Sequence, residues 1–234
     1  MIKWSILPSL ITLGNLFFGW WAIIMIVHER YLVACWLIVV AAIMDGLDGL
    51  VARWTRQSSR FGVEMDSFAD SISFALAPSL LVYQSTLRKL VAIGLILTFL
   101  PLLAGVLRLV RFNVTALKGW SKTRKPLTFT GLPVPACALT LVGYYLYAYE
   151  LNDGAVEGTL FLSLIPALAL LMVSPIRYRR MPVVKISESR RSLLGAGLAL
   201  LLVVVLLRYL PLTIFPVMMI YIPVSYTHLT LPTN

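Results

Sequence analysis

Apolar residues along the 234-residue chain are gathered into runs that are separated by short polar stretches. Most runs approach the roughly 20 residues that a helix needs to cross the hydrocarbon core of a bilayer, and the last two are shorter. The pattern therefore predicts an all-α, polytopic transmembrane helix bundle with six core helices and two weaker C-terminal ones. The runs lie near residues 8–27, 31–52, 65–85, 90–110, 131–149, 157–175, 193–207 and 209–223.

The polar stretches are too short to hold a soluble domain, since none exceeds about 20 residues. We therefore expect a single membrane domain over residues 1–223. Residues 224–233 read Val-Ser-Tyr-Thr-His-Leu-Thr-Leu-Pro-Thr, which looks like the translation of a transposon end used in sequencing libraries. Residues 224–234 are thus expected to be a non-native translated adapter, and the alternative is a short polar tail.

The charged residues give the chain an orientation. Only 13% of residues are charged and 59% are hydrophobic, far from a typical soluble domain. With the N-terminus inside, sixteen of the twenty Lys and Arg residues fall on the inner segments. This bias predicts a multi-pass protein of the cell membrane with its N-terminus on the cytoplasmic side. The net charge of +10 fits anionic lipid headgroups, whereas nucleic-acid binding is disfavoured because the basic residues are split between short loops.

Four aspartates lie at the inner ends of the second and third predicted helices. Asp45 and Asp48 are three residues apart, and Asp66 and Asp70 are four apart, so each pair shares one helix face. The connection between the helices is short, so they should form a hairpin whose carboxylates converge on the cytoplasmic side. Ionisable groups in membrane segments are costly, which makes these four candidates for function.

Four neighbouring carboxylates repel one another unless cations bind between them. Their ligand atoms are all hard oxygens without His or Cys nearby, which favours Mg²⁺ or Mn²⁺ over Zn²⁺. Two divalent ions about 3.5–4 Å apart are suited to in-line displacement at phosphorus. Gly46, Gly49 and Ala52 leave room for a ligand beside the helix, and Arg53 can pair with phosphate. The alternative for a lone aspartate, a cation or proton relay in a transporter, is disfavoured by this combination.

The same segment has eight fixed positions over 26 residues: Asp45, Asp48, Gly49, Ala52, Arg53, Gly62, Asp66 and Asp70. This pattern resembles the signature of the CDP-alcohol phosphotransferase family at every defined position. The resemblance implies two metal ions on the four aspartates and Asp70 as the base that deprotonates the acceptor alcohol. It also implies a site for the CDP-linked substrate at Gly49, Arg53, Ser59 and Gly62, and it suggests a homodimer.

Three further segments resemble the membrane-integral phosphatidylserine synthases within that family. They are residues 7–15, Leu-Pro-Ser-Leu-Ile-Thr-Leu-Gly-Asn, residues 108–113, Arg-Leu-Val-Arg-Phe-Asn, and residues 130–135, Thr-Gly-Leu-Pro-Val-Pro. Ser9 departs from the usual Asn at its position. The resemblance implies CDP-diacylglycerol as the donor and L-serine as the acceptor, in the lipid bilayer.

An acceptor such as serine needs a cation for its carboxylate and hydrogen-bond partners for its other groups. Arg108 and Arg111 can bind a carboxylate or a phosphate, and Asn113 can hydrogen-bond the amino acid. The arginines could instead only anchor the topology. A phosphorylated acceptor, glycerol 3-phosphate or inositol phosphate, remains an alternative, as does a cation-coupled transporter at a greater distance.

Overall fold

The helices of the computed structural model follow the apolar runs closely. It describes residues 6–55, 60–119, 128–175, 177–179 and 210–222. The all-α membrane bundle is confirmed, whereas the run at 193–207 and the tail at 224–234 lie outside the described residues. The elements are α1 (Ile6–Val27), α2 (Tyr31–Thr55), α3 (Arg60–Asp70), a first π-helical turn (Ser71–Leu76), α4 (Ala77–Val82), a second π-helical turn (Tyr83–Leu87), a 3-10 turn (Arg88–Leu90), α5 (Val91–Gly119), β1 (Thr128–Thr130), α6 (Val134–Leu151), α7 (Thr159–Val173), β2 (Arg177–Arg179) and α8 (Leu210–Ile222).

The first two helices form a hairpin. A tight turn joins them, in which the Arg30 N–H donates to the Met25 carbonyl at 2.8 Å and Glu29 takes a φ of 59°. Ala22 on α1 and Ala34 on α2 are fully buried. Such small residues let two helix backbones approach closely, which in a membrane is what holds helices together.

The third apolar run does not form a plain α-helix. The first π-helical turn begins directly after Asp70, and the Ala77 N–H bonds to the Ile72 carbonyl five residues before it. Pro78 offers a physical reason, because it lacks an N–H and its ring crowds the carbonyl four residues earlier, so that a wider turn relieves the clash. Asp70 therefore lies where an α-helical segment passes into a π-helical one.

Helices α6 and α7 complete the core against α2, α5 and the first π-helical turn. Phe74 from that turn, Leu141 from α6 and Phe161 from α7 are all buried. The chain enters α6 through Gly131, which has a φ of 80°. A Cβ there would overlap the Met172 carbonyl oxygen, so glycine is required where α6 begins beside the end of α7.

A small antiparallel ribbon of two strands connects the start of α6 to the end of α7. β1 precedes α6 and β2 follows α7, with Phe129 opposite Tyr178. The sequence does not predict this ribbon, because three-residue strands carry too short a pattern to recognise. Its effect is to tie the entrance of α6 to the exit of α7.

The outer surface of the helix bundle is largely apolar. Within the described part of the chain, three segments are long and apolar enough to cross a membrane: Leu10–Val27, Tyr31–Gly49 and Phe61–Val114. Large apolar side chains face outward, among them Ile96, 63% exposed, and Leu170, 73% exposed. An apolar surface of this extent is typical of a protein embedded in a bilayer.

Candidate active site

The aspartates of the α2–α3 hairpin meet at one place, as their spacing predicts. Asp45, Asp48 and Asp66 each offer a carboxylate oxygen, and these oxygens lie within 4.8 Å of one another. Asp48 is buried and the other two are half-buried. We call this group the three-aspartate cluster.

Asp70 lies beside the cluster and is not one of its three members. Its side chain is buried and interacts electrostatically with Asp45 and Asp66. It stands one helical turn after Asp66, at the C-terminal end of α3. The four aspartates thus form one acidic site, in which Asp70 holds a separate position.

Helix α1 supplies hydrogen-bond donors to both aspartate pairs. Thr12 Oγ1 donates to Asp48 Oδ2 at 3.0 Å, and Asn15 Nδ2 donates to Asp70 Oδ1 at 3.2 Å. Thr12 and Asn15 are three residues apart and so lie on one face of α1, where both are buried. The first helix therefore orients carboxylates on the second and the third.

The donor set fits a hard divalent cation. Buried charges are stable only when they are paired or coordinate a metal ion. The three-aspartate cluster brings together carboxylate oxygens alone, and Asp66 Oδ1 is buried with no hydrogen-bond partner among the described residues. All-oxygen sites of this kind bind Mg²⁺ or Mn²⁺ more readily than Zn²⁺.

The residues expected at the nucleotide flank the cluster where they are described. Gly49 follows Asp48 on α2, and Gly62 lies in the first turn of α3. A Cβ added at Gly46 would meet nothing within 4 Å, so no described residue covers this side of α2. Arg53 lies in the last turn of α2, but its side chain and the whole of Ser59 are outside the described part of the chain.

The three residues that were expected to bind the acceptor have different partners in the structure. Arg108 on α5 interacts electrostatically with Asp70, and its buried Nε has no hydrogen-bond partner in the described part of the chain. Arg111 is exposed and donates to the Val173 carbonyl at 3.2 Å. Asn113 donates to Glu64 Oε2 at 3.0 Å. Arg108 is thus a buried cation that interacts with Asp70, whereas Arg111 is exposed and contacts the end of α7.

Asn113 also connects two helices. Its Oδ1 accepts a hydrogen bond from Ser67 Oγ at 3.0 Å, while its Nδ2 reaches Glu64. Glu64 and Ser67 belong to α3 and Asn113 to α5, so this network fixes α5 beside the helix that carries Asp66 and Asp70. Asn113 is thus engaged within the protein rather than directed into an open space.

A model of the CDP-alcohol phosphatidyltransferase family matches residues 5–174, which is most of the chain. The chain belongs to this family. The match spans α1 to α7 and includes all four aspartates together with their partners on α1.

Curated relatives extend over a similar range. A CDP-diacylglycerol–serine O-phosphatidyltransferase of Helicobacter pylori is 41% identical over 180 residues, which cover 76% of this chain and 73% of the relative. The enzyme of that name from Mycobacterium bovis is 34% identical over 200 residues, 85% of this chain and 70% of the relative. An archaetidylserine synthase of Methanothermobacter thermautotrophicus is 36% identical over 176 residues, 74% of this chain and 70% of the relative.

The structure also places residues at the site that were not expected there. Thr12 and Asn15 entered the sequence argument only as part of an opening motif, and Glu64 and Ser67 not at all. For Thr12 and Asn15 the sequence did contain a sign of this role, because polar side chains three residues apart within an apolar run indicate a buried polar contact. Nothing in the spacing of Glu64 and Ser67 distinguished them from ordinary surface residues.

Proposed function

We propose that this membrane protein transfers the phosphatidyl group of CDP-diacylglycerol to the hydroxyl of L-serine, giving phosphatidylserine and CMP. The observation that carries the proposal is the three-aspartate cluster, which lies within the family's motif. The names of the curated relatives support serine as the acceptor. The chain acts as a metal-dependent transferase in this proposal.

Asp45, Asp48, Asp66 and Asp70 hold two divalent ions, Mg²⁺ or Mn²⁺, in the proposed enzyme. When bound, such ions stabilise the negative charge that develops on phosphate oxygens during displacement at phosphorus. Thr12 keeps Asp48 oriented for this purpose through its 3.0 Å hydrogen bond. The chemistry of the donor set supports this assignment, since it contains oxygen alone.

The residues that bind CDP-diacylglycerol are proposed to be Gly49, Arg53, Ser59 and Gly62. The glycines let the nucleotide approach the helix backbones, and the open side of α2 at Gly46 supports an approach from there. The Arg53 guanidinium pairs with phosphate oxygens, and the Ser59 hydroxyl donates a hydrogen bond. The acyl chains remain among the lipids of the inner leaflet.

Asp70 is the proposed catalytic base. It takes the proton from the serine hydroxyl, and the serine oxygen forms a bond to the phosphorus that carries diacylglycerol. The bond between that phosphorus and the CMP oxygen breaks, and CMP leaves with the electron pair. The position of Asp70 beside the cluster supports this role, because the base must reach the hydroxyl that attacks the phosphorus held there.

Arg108, Arg111 and Asn113 are the proposed acceptor-binding residues. Arg108 is the best supported of them for the serine carboxylate, because it is near Asp70 and its Nε has no partner within the described residues. The positive-inside bias supports a cytoplasmic active site. We further propose that the enzyme works as a homodimer, on the basis of its family resemblance.

The direct test is to follow label from L-serine into lipid. Full-length protein in liposomes with CDP-diacylglycerol and Mg²⁺ should convert labelled serine into phosphatidylserine and release CMP in equal amount. Glycerol 3-phosphate and inositol phosphate are offered in parallel. Preferential labelling from either would replace serine as the acceptor, and cation-driven uptake into the liposomes without CMP release would indicate the transporter.

Replacing Arg108 should weaken the use of serine more than replacing Arg111. A hydrogen bond to a charged group contributes about 1.5–3 kcal/mol, so kcat/KM for serine in Arg108→Gln should fall roughly ten- to hundred-fold. Arg111→Gln is the matched control, and its fall should be smaller because Arg111 is exposed and bonded to Val173. The opposite order in steady-state kinetics of correctly inserted protein would assign the carboxylate to Arg111.

A further inference from the structure

The contact between α1 and the first π-helical turn is built from three residues around Asp70. Asn15 and Gly19 lie one turn apart on α1, and Ser73 lies in the π-helical turn. Asn15 Nδ2 donates to Asp70 Oδ1 at 3.2 Å, and Ser73 Oγ donates to the Asn15 backbone carbonyl at 3.0 Å. Asn15 and Ser73 are both fully buried. Asn15 therefore holds Asp70 through its side-chain amide, and Ser73 in turn holds Asn15 through its backbone carbonyl.

Gly19 determines how closely these elements approach. A Cβ at Gly19 would overlap Ser73 Oγ and would lie 2.8 Å from Ser73 Cα. The second distance involves backbone, so a rotation of the Ser73 side chain would not relieve it. The glycine is consequently what allows α1 to lie against the turn that follows Asp70.

The Asn15 amide has one favourable orientation here. Turning it over would place Oδ1 against a carboxylate oxygen, and two acceptors in contact repel. In the orientation that avoids this, Oδ1 is buried and no described residue donates to it, which is itself unfavourable. The amide thus keeps its donor on Asp70 at that cost to its own carbonyl oxygen.

We propose that Asn15 is a positioning residue for Asp70, held in place by Ser73 and Gly19. The inference rests on the proposed function, in which Asp70 accepts the proton of the serine hydroxyl. Rotation about the bond to a carboxylate group is soft, so an aspartate without a fixed partner samples a broad range of angles. The hydrogen bond from Asn15 holds Oδ1 and so limits rotation of the whole carboxylate group.

The test combines removal of the amide with a separate change of spacing. Asn15→Leu keeps much of the side-chain volume and loses the donor, and kcat should fall roughly ten- to hundred-fold. The KM for CDP-diacylglycerol should change less than kcat, because the three-aspartate cluster is untouched and Asp70 keeps its carboxylate. Asn15→Gln retains a donor and should recover part of the lost kcat.

Gly19→Ala leaves the amide in place but displaces the π-helical turn. Its kcat should fall by roughly ten-fold or more. Gly14→Ala is the matched control on the same helix, since its Cβ would only reach Met44 Sδ at an ordinary 3.9 Å, and its kcat should be unchanged. Thermal unfolding in detergent is measured for every variant, so that kcat is expressed per folded enzyme.

Two results would overturn the inference. One is a normal kcat in folded Asn15→Leu, and the other is a loss carried by the KM for CDP-diacylglycerol with kcat unchanged. Either leaves the proposed function intact as long as the wild-type protein makes phosphatidylserine. If the wild-type protein makes none under the same conditions, the proposed function fails instead.

Discussion

Replacing Asp70 with asparagine should lower turnover by about 10²–10⁴-fold, the contribution typical of a positioned general base. The amide has nearly the same size as the carboxylate, and its oxygen can still accept the hydrogen bond from Asn15 Nδ2. It cannot, however, take up a proton at neutral pH. Because Asp70 is buried, bulk water has no ready access to replace it. CDP-diacylglycerol should still bind measurably, since the three-aspartate cluster is retained.

Two other carboxylates serve as comparisons for that variant. Asp45→Asn removes a member of the three-aspartate cluster, so it should weaken CDP-diacylglycerol binding in addition to turnover. Glu64→Gln changes an exposed carboxylate on α3 outside the cluster but keeps an oxygen that can accept from Asn113, so its kcat should stay within about two-fold of the wild type. Labelled-serine turnover and equilibrium binding of CDP-diacylglycerol are measured on all three. A nearly normal rate in Asp70→Asn would exclude Asp70 as the base.

Removal of divalent cations should abolish activity altogether. The cluster holds carboxylate oxygens without a nitrogen or sulfur ligand, and hard oxygen sites bind Mg²⁺ or Mn²⁺ reversibly. Excess EDTA should therefore bring phosphatidylserine formation to background, and addition of Mg²⁺ or Mn²⁺ beyond the chelator should restore it. The control is EDTA already saturated with Mg²⁺, which should have no effect. Full turnover in free EDTA would contradict metal dependence.

The part of the site that could be predicted is the part set by local spacing. Residues three or four apart share a helix face, which places Asp45 beside Asp48 and Asp66 beside Asp70. The short connection between their helices makes the two helices form a hairpin. Convergence of the carboxylates followed from those two facts. The membrane bundle followed from apolar run length in the same way.

The remainder depends on contacts between distant segments. Arg108 and Arg111 are one helical turn apart, and only the packing of α5 beside α3 and α7 separates the one near Asp70 from the one bonded to Val173. The partnership of Asn15 with Asp70 joins residues 55 positions apart. The β1–β2 ribbon likewise exists only because α6 and α7 bring its strands together.

The first π-helical turn sets the rotation between the two ends of this helix. A π-helical turn contains one residue more than the α-helical turn that it replaces. Each residue of an α-helix rotates the chain by about 100°. Without the additional residue in Ser71–Leu76, Asp70 and the buried face of α4 would be out of phase by that angle. The additional residue lets one continuous helix carry Asp70 beside the three-aspartate cluster and turn the buried face of α4 to the core.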